Sequence, residues 1–207
     1  MHHTADQARE IHQRAAVAHA ALNQHRRLLY QNKALDLEKR KELLDMLVMS
    51  KMLYGADSWV ANDKRTLKSF GAKVINIYKR LLKLAHDQPI LEEEILVRTA
   101  LPSPQELLRR SRLRYFATLV TMDMPHVWGL LAQDQQWMDL LEGDMIWMWE
   151  QLKSTTKLPD PRQSYGHWLN LIQRSPKFWK RLVRRASEHC ILQRCRVFRA
   201  REFHRQA

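Results

Sequence analysis

Between Leu67 and Leu82 the apolar residues Leu67, Phe70, Val74, Ile77, Tyr78, Leu81 and Leu82 recur at three- and four-residue intervals. That spacing matches the 3.6-residue turn of an α-helix and does not fit the two-residue alternation of a half-buried strand. Similar periods return along most of the chain, and no segment carries a strand pattern of any strength. Five glycines and seven prolines leave few places for tight hairpins. The expected fold is therefore all-α, an irregular helical bundle with a long basic C-terminal helix. A chain of 207 residues suits one or two small domains.

Residues 4–30 read as a first helix, with Thr4 and Asp6 able to cap it and Ile11, Ala15, Ala18, Leu22 and Leu29 near one face. A second runs from Asp36, its expected cap, towards Trp59. Its apolar band is wide (Leu43, Leu44, Leu47, Val48 and Met52), which predicts burial on more than one side. Gly55 lies inside that pattern, where a glycine marks either a close backbone approach or a helix end. Asn62 or Asp63 can cap the helix that carries the Leu67–Leu82 stripe. Ser103-Pro104-Gln105-Glu106 starts another helix with proline at its first position.

Composition shifts at residue 123. From 123 to 161 there are seven acidic residues against two lysines, together with Trp128, Trp137, Trp147 and Trp149. Residues 157–164 read as a loop and Tyr165–Gln173 as a short helix. From 174 to 207 there are eleven Lys and Arg against two Glu, threaded by an apolar stripe through Phe178, Trp179, Leu182, Val183, Ala186 and Cys190. This divides the chain into an expected helical bundle over 1–122 and a Trp-rich extension with a basic final helix over 123–207.

The net charge of +13, from 35 Lys and Arg against 22 Asp and Glu, favours a polyanionic partner, nucleic acid before a membrane surface. No stretch approaches the ~18 consecutive apolar residues of a membrane span. Two cysteines, Cys190 and Cys195, make no disulfide framework, and their spacing with His189 and His204 lacks the paired ligands of a zinc finger. The expected setting is nuclear or cytoplasmic rather than secreted.

Catalytic signatures are missing from the sequence. There is no Asp-Asp pair of the kind that holds two metal ions in nucleotide polymerases, no glycine-rich phosphate loop, and no G-x-S-x-G or H-E-x-x-H. Glu92-Glu93-Glu94 suits a solvated first helical turn. No catalytic residue, metal or cofactor is expected. The tryptophans at helical spacing read as a packed seam rather than a base-stacking platform, because their segment is acidic and repels phosphates.

What remains is cationic. One basic face carries Lys64, Arg65, Lys68, Lys73, Lys79 and Arg80, a second Arg109, Arg110, Arg112 and Arg114, and a third Lys177, Lys180, Arg181, Arg184 and Arg185. These fifteen residues are the candidate contacts to a DNA or RNA backbone, since phosphate contacts are mainly electrostatic and need no sequence code.

The order of several motifs resembles the region behind the palm of LINE-type (non-LTR) retrotransposon reverse transcriptases. Met52-Leu53-Tyr54-Gly55-Ala56-Asp57-Ser58-Trp59 is similar to that family's L-L-Y-G-x-E-x-W element, with Asp57 in place of Glu. Leu67, Phe70, Lys73 and Leu81-Leu82 resemble its L-x-x-F-x-x-K-x-x-R-x-L-L segment. Arg109-Arg110-Ser111-Arg112-Leu113-Arg114-Tyr115-Phe116 resembles its R-R-x-R-L-R-Y-F-G-H element, with Ala117-Thr118 in place of Gly-His, and Met122 with Pro125 fits the end of that block. The likeness covers about residues 10–130, and the Trp-rich and basic blocks that follow are similar to those of some members.

The resemblance implies a thumb-like bundle, with Leu53, Tyr54, Gly55 and Trp59 as packing and Lys73, Arg109, Arg110, Arg112 and Arg114 as backbone contacts. The family's fingers and palm have no counterpart in these residues. The implied function is thus that of a non-catalytic fragment or remnant of an RNA-directed DNA polymerase that binds nucleic acid. Two other readings fit the same residues: a module that docks a protein partner through the Trp-rich segment, and a decayed reading frame without function.

Overall fold

The computed structural model describes residues 3–32, 34–60, 64–84, 88–122, 125–131 and 133–206, and among them every regular element is helical. They are α1 (His3–Gln24), a π-helical turn (Arg27–Gln31), α2 (Leu37–Leu44), a second π-helical turn (Asp45–Met49), α3 (Ser50–Met52) and a 3-10 turn (Ala56–Ser58). After these come α4 (Lys64–Leu81), α5 (Glu92–Thr99), α6 (Pro104–Met122), α7 (Pro125–Leu131), α8 (Gln135–Leu152), α9 (Tyr165–Arg174) and α10 (Pro176–Gln206). The all-α expectation holds, as does the long basic final helix. No helix among the described residues is long and apolar enough to cross a membrane. The caps expected at Thr4, Asp6, Asn62 and Asp63, and the fit of Pro125, lie outside the residues whose side chains are described.

The chain divides into two compact units, but not at residue 122. Unit 1 comprises residues 1–54, 61–105 and 194–207, and unit 2 residues 55–60 and 106–193. The reason is physical. From Leu113 onward α6 turns its apolar face to the tryptophan-bearing helices, and so does α10 as far as Cys190. The Trp-rich block therefore shares its core with the basic helices before and after it.

Unit 1 is built on α1. The expected stripe of Ile11, Ala15, Ala18, Leu22 and Leu29 is buried without exception. Asp36 caps α2 by accepting a hydrogen bond from the Lys39 N–H at 2.8 Å. Within α2–α3 only Leu44, Val48, Met49 and Met52 are buried, while Leu43 and Leu47 are half-buried and Met46 is exposed. The wide band is thus buried on one side only. The π-helical turn underwinds the helix. The turn itself and α3 after it pack against α1. From α4, Phe70, Val74, Ile77, Tyr78 and Leu81 complete the core, and the Tyr78 hydroxyl donates to the Pro102 carbonyl at 3.1 Å. The last turns of α10 are held by Arg194, which donates to the Leu101 carbonyl at 3.1 Å, and by Arg201, 3.0 Å from Glu93.

Gly55 ends the second helical run in the left-handed region, at φ +75°. A Cβ added there meets nothing within 4 Å. The demand for glycine is therefore purely conformational. Gly55→Ala is expected to lose about 1–2 kcal/mol in a denaturant titration, the cost of an L-residue in this region.

Unit 2 has an aromatic core. Trp137, Trp168 and Trp179 are fully buried, and Trp147 nearly so. Their rings meet edge to face: Trp168 with Trp179 at 5.9 Å, Phe116 with Trp179 at 6.1 Å, and Tyr115 with Trp137 at 6.3 Å between centroids. An indole must place its N–H when its body is buried. Four of them donate to backbone carbonyls here: Trp137 to Asp57 at 2.9 Å, Trp149 to Leu158 at 3.0 Å, Trp168 to Pro159 at 3.1 Å and Trp179 to Leu113 at 2.8 Å. Two of these bonds pin the 157–164 loop. Trp137 and Trp147 are thus packed, as their spacing predicts, while Trp128 and Trp149 of the same segment are half-buried against that core.

Candidate nucleic-acid interface

In unit 1 the six cations of α4 divide along the helix. Lys64, Arg65 and Lys68, in the first turns, are exposed. Lys73, Arg80 and Lys79, further along, reach protein groups. Lys73 Nζ lies 3.1 Å from His12 Nδ1, Arg80 donates to the Asn23 side-chain oxygen at 3.0 Å, and Lys79 donates to the Gln88 carbonyl at 3.3 Å. Burial first, then the charges of Arg80 and Lys73, holds His19 below its ordinary value, so this imidazole stays neutral near pH 7. Half of the expected α4 face therefore clasps α1 and the segment after α4.

In unit 2 the arginines of α6 part in two directions. Arg112 is buried and forms a two-pronged bond with Asp144 of α8, at 2.7 and 3.2 Å. Arg109 lies 3.5 Å from the same carboxylate and sits over the Trp147 ring at 5.2 Å. Burial raises the Asp144 carboxyl above its ordinary value against the opposing pull of both guanidiniums. Arg112 and Arg109 thus depart from the expected role of phosphate contacts. They are internal counter-ions to an acid of the Trp-rich helix. Arg110 is half-buried, with its Nε enclosed.

Arg114 faces the other way. Ser111, Arg114, Tyr115 and Thr118, at helical spacing on α6, line an open cavity of about 570 Å³ together with Asp57 and Lys180 of α10. Burial pushes the Asp57 carboxyl up, against hydrogen bonds from backbone N–H groups that pull it down. The hydroxyl residues escape notice in the sequence because only the orientation of α6 shows which of its faces stays open. Their signal is the i, i+3, i+4, i+7 spacing around Arg114.

The five candidates on α10 are all exposed. Lys177, Lys180, Arg181, Arg184 and Arg185 fall within roughly 140° of arc at 100° per residue, opposite the buried Trp179, Leu182, Val183 and Ala186. Arg184 lies 3.4 Å from Glu188 on the same stripe. Among the described residues, no carboxylate is paired with Lys177, Lys180, Arg181 or Arg185. The stripe is held straight by a well-packed helix, and Lys180 carries it into the Arg114 cavity. Such an arrangement suits an extended anion whose charges repeat along a line.

The residues of the first resemblance motif differ in their surroundings. Trp59 is buried and Gly55 turns the chain, but Tyr54 is 67% exposed and carries Arg14 over its ring at 4.5 Å instead of packing in a core. Comparison with family models, with curated proteins and with solved structures returns no match to this chain.

Proposed function

We propose that this chain is a non-catalytic helical module, derived from the thumb region of a LINE-type reverse transcriptase, that binds the backbone of DNA or RNA. The observation that carries the reading is the exposed α10 stripe, joined at Lys180 to the Arg114 cavity. The proposed contacts are Arg114, Lys177, Lys180, Arg181, Arg184 and Arg185, with Lys64, Arg65 and Lys68 as a separate group on unit 1. Arg109 and Arg112 are withdrawn from the set. The proposed origin rests on the order of the motifs in the sequence.

The test is a fluorescence-anisotropy titration of a labelled duplex against salt. With six to ten phosphate contacts, log K should fall against log salt with a slope of about −5 to −9. Lys180→Gln should flatten that slope by about one, and Lys177→Gln with Arg181→Gln by about two more. Substitution is the proper probe, because deleting the tail removes Trp179, Leu182, Val183 and Ala186 from the core. A slope near zero in the unaltered protein refutes the reading.

A further inference from the structure

Unit 2 holds a second cavity of about 380 Å³, bounded by α8, the 157–164 loop and the start of α9. Met138, Leu141 and Met145 line it from one side of α8, at i, i+3 and i+7, and Tyr165 and Pro161 line it from the other. The Tyr165 ring is steadied 6.4 Å from Phe116 of the core. Thioethers and a phenol ring make an apolar interior that accommodates flat aromatic groups.

The charged groups at the cavity are Asp139, Glu142 and Arg162, and they are not equivalent. Arg162 is held first by Asp160, donating from Nη2 at 2.7 Å and from Nε at 3.0 Å, and the Glu142 charge acts on it more weakly. Asp139 accepts one bond from the neutral Gln135 amide at 2.7 Å. Glu142 is exposed, and no hydrogen bond or ion pair engages it among the described residues. Its field reaches the cavity: after burial, the Glu142 charge is what holds the Tyr165 phenol above its ordinary value. With Arg162 taken up mainly by Asp160, the cavity keeps a net negative charge from Asp139 and Glu142 beside an apolar, partly aromatic wall.

We infer that this cavity binds a small protonated amine carried on an aromatic body, the ammonium at Glu142 and Asp139 and the ring among Met138, Met145 and Tyr165. The volume lies near the lower end of the range for ligand cavities, which limits the occupant to one or two fused rings. The carboxylates supply charge-assisted hydrogen bonds and reject anions of the same shape. The inference stands apart from the nucleic-acid reading, since none of its residues belongs to the cationic stripe.

The test uses the full chain with its methionine methyl groups labelled with carbon-13. Tryptamine, as the probe, should shift the Met138 and Met145 methyl signals to saturation, while indole-3-propionate at equal concentration leaves them in place. Glu142→Gln should weaken tryptamine by about tenfold, the scale of one charge-assisted hydrogen bond, with the other methionine signals unmoved as proof of an intact fold. The inference is overturned if tryptamine leaves Met138 and Met145 unshifted, if indole-3-propionate binds as well, or if Glu142→Gln binds tryptamine as tightly as the parent.

Discussion

Asp144→Ala is expected to destabilise unit 2 by about 3–5 kcal/mol, because it leaves the buried Arg112 guanidinium without a counter-charge. The partner groups make the cost large. Arg112 has a side-chain exposure of 6% and cannot turn to water without opening the α6–α8 contact. Arg109, half-buried beside it, adds a second positive charge to the vacated position. A buried ion pair is weak support for stability in itself, since an apolar pair of similar volume often does as well. The double substitution Asp144→Leu with Arg112→Met should therefore recover most of the loss. Urea denaturation of the single and double variants measures both effects. A single variant within 1 kcal/mol of the parent would mean that the pair is solvated.

The second large effect belongs to Trp179. Its ring is fully buried, meets Trp168 and Phe116 edge to face, and donates to the Leu113 carbonyl at 2.8 Å. Trp179→Ala should cost about 3–5 kcal/mol through the cavity it leaves. Against a typical total of about 5–15 kcal/mol, that suffices to unfold a marginal domain. Trp179→Phe keeps most of the ring contact and loses the N–H bond, so it should cost appreciably less. Near-ultraviolet circular dichroism with thermal melting separates the two, and equal melting temperatures for Trp179→Ala and the parent would contradict the packing described here.

Much of the architecture is legible in the sequence because helical periodicity is a local signal. The α1 stripe and the α4 stripe can both be read from three- and four-residue spacing; the first is buried throughout, and the second from Phe70 to Leu81, with Leu67 and Leu82 at its ends half-buried. The Asp36 cap and the Pro104 start are equally local. The unit boundary is not, because it depends on which helices share a core. A composition change at residue 123 marks where acidic residues begin, not where contacts end.

The α6 arginines show the same limit at the candidate site. Four arginines between 109 and 114 look alike as a basic run, yet Arg112 stands four residues after Leu108 and four before Phe116, on the apolar side of its helix. Asp144 likewise sits between Leu141 and Met148 on the buried side of α8. Two opposite charges, each on an apolar stripe, are the sequence sign of a buried pair. Which acid meets which base, 32 residues apart, becomes visible only when the helices are docked. Exposed positions such as Lys180 and Arg184 are read more readily, because solvation requires nothing of distant residues.

The passage of α10 from one unit into the other has a consequence for biosynthesis. A ribosome releases residues 61–105 well before residues 194–206, yet the arginines that fasten Leu101 and Glu93 lie in the later stretch. The earlier-made unit must therefore wait, incompletely closed, while the other is being translated. The nascent chain spends that interval with unfinished surface, and the final helix secures it only when translation reaches the end of this segment.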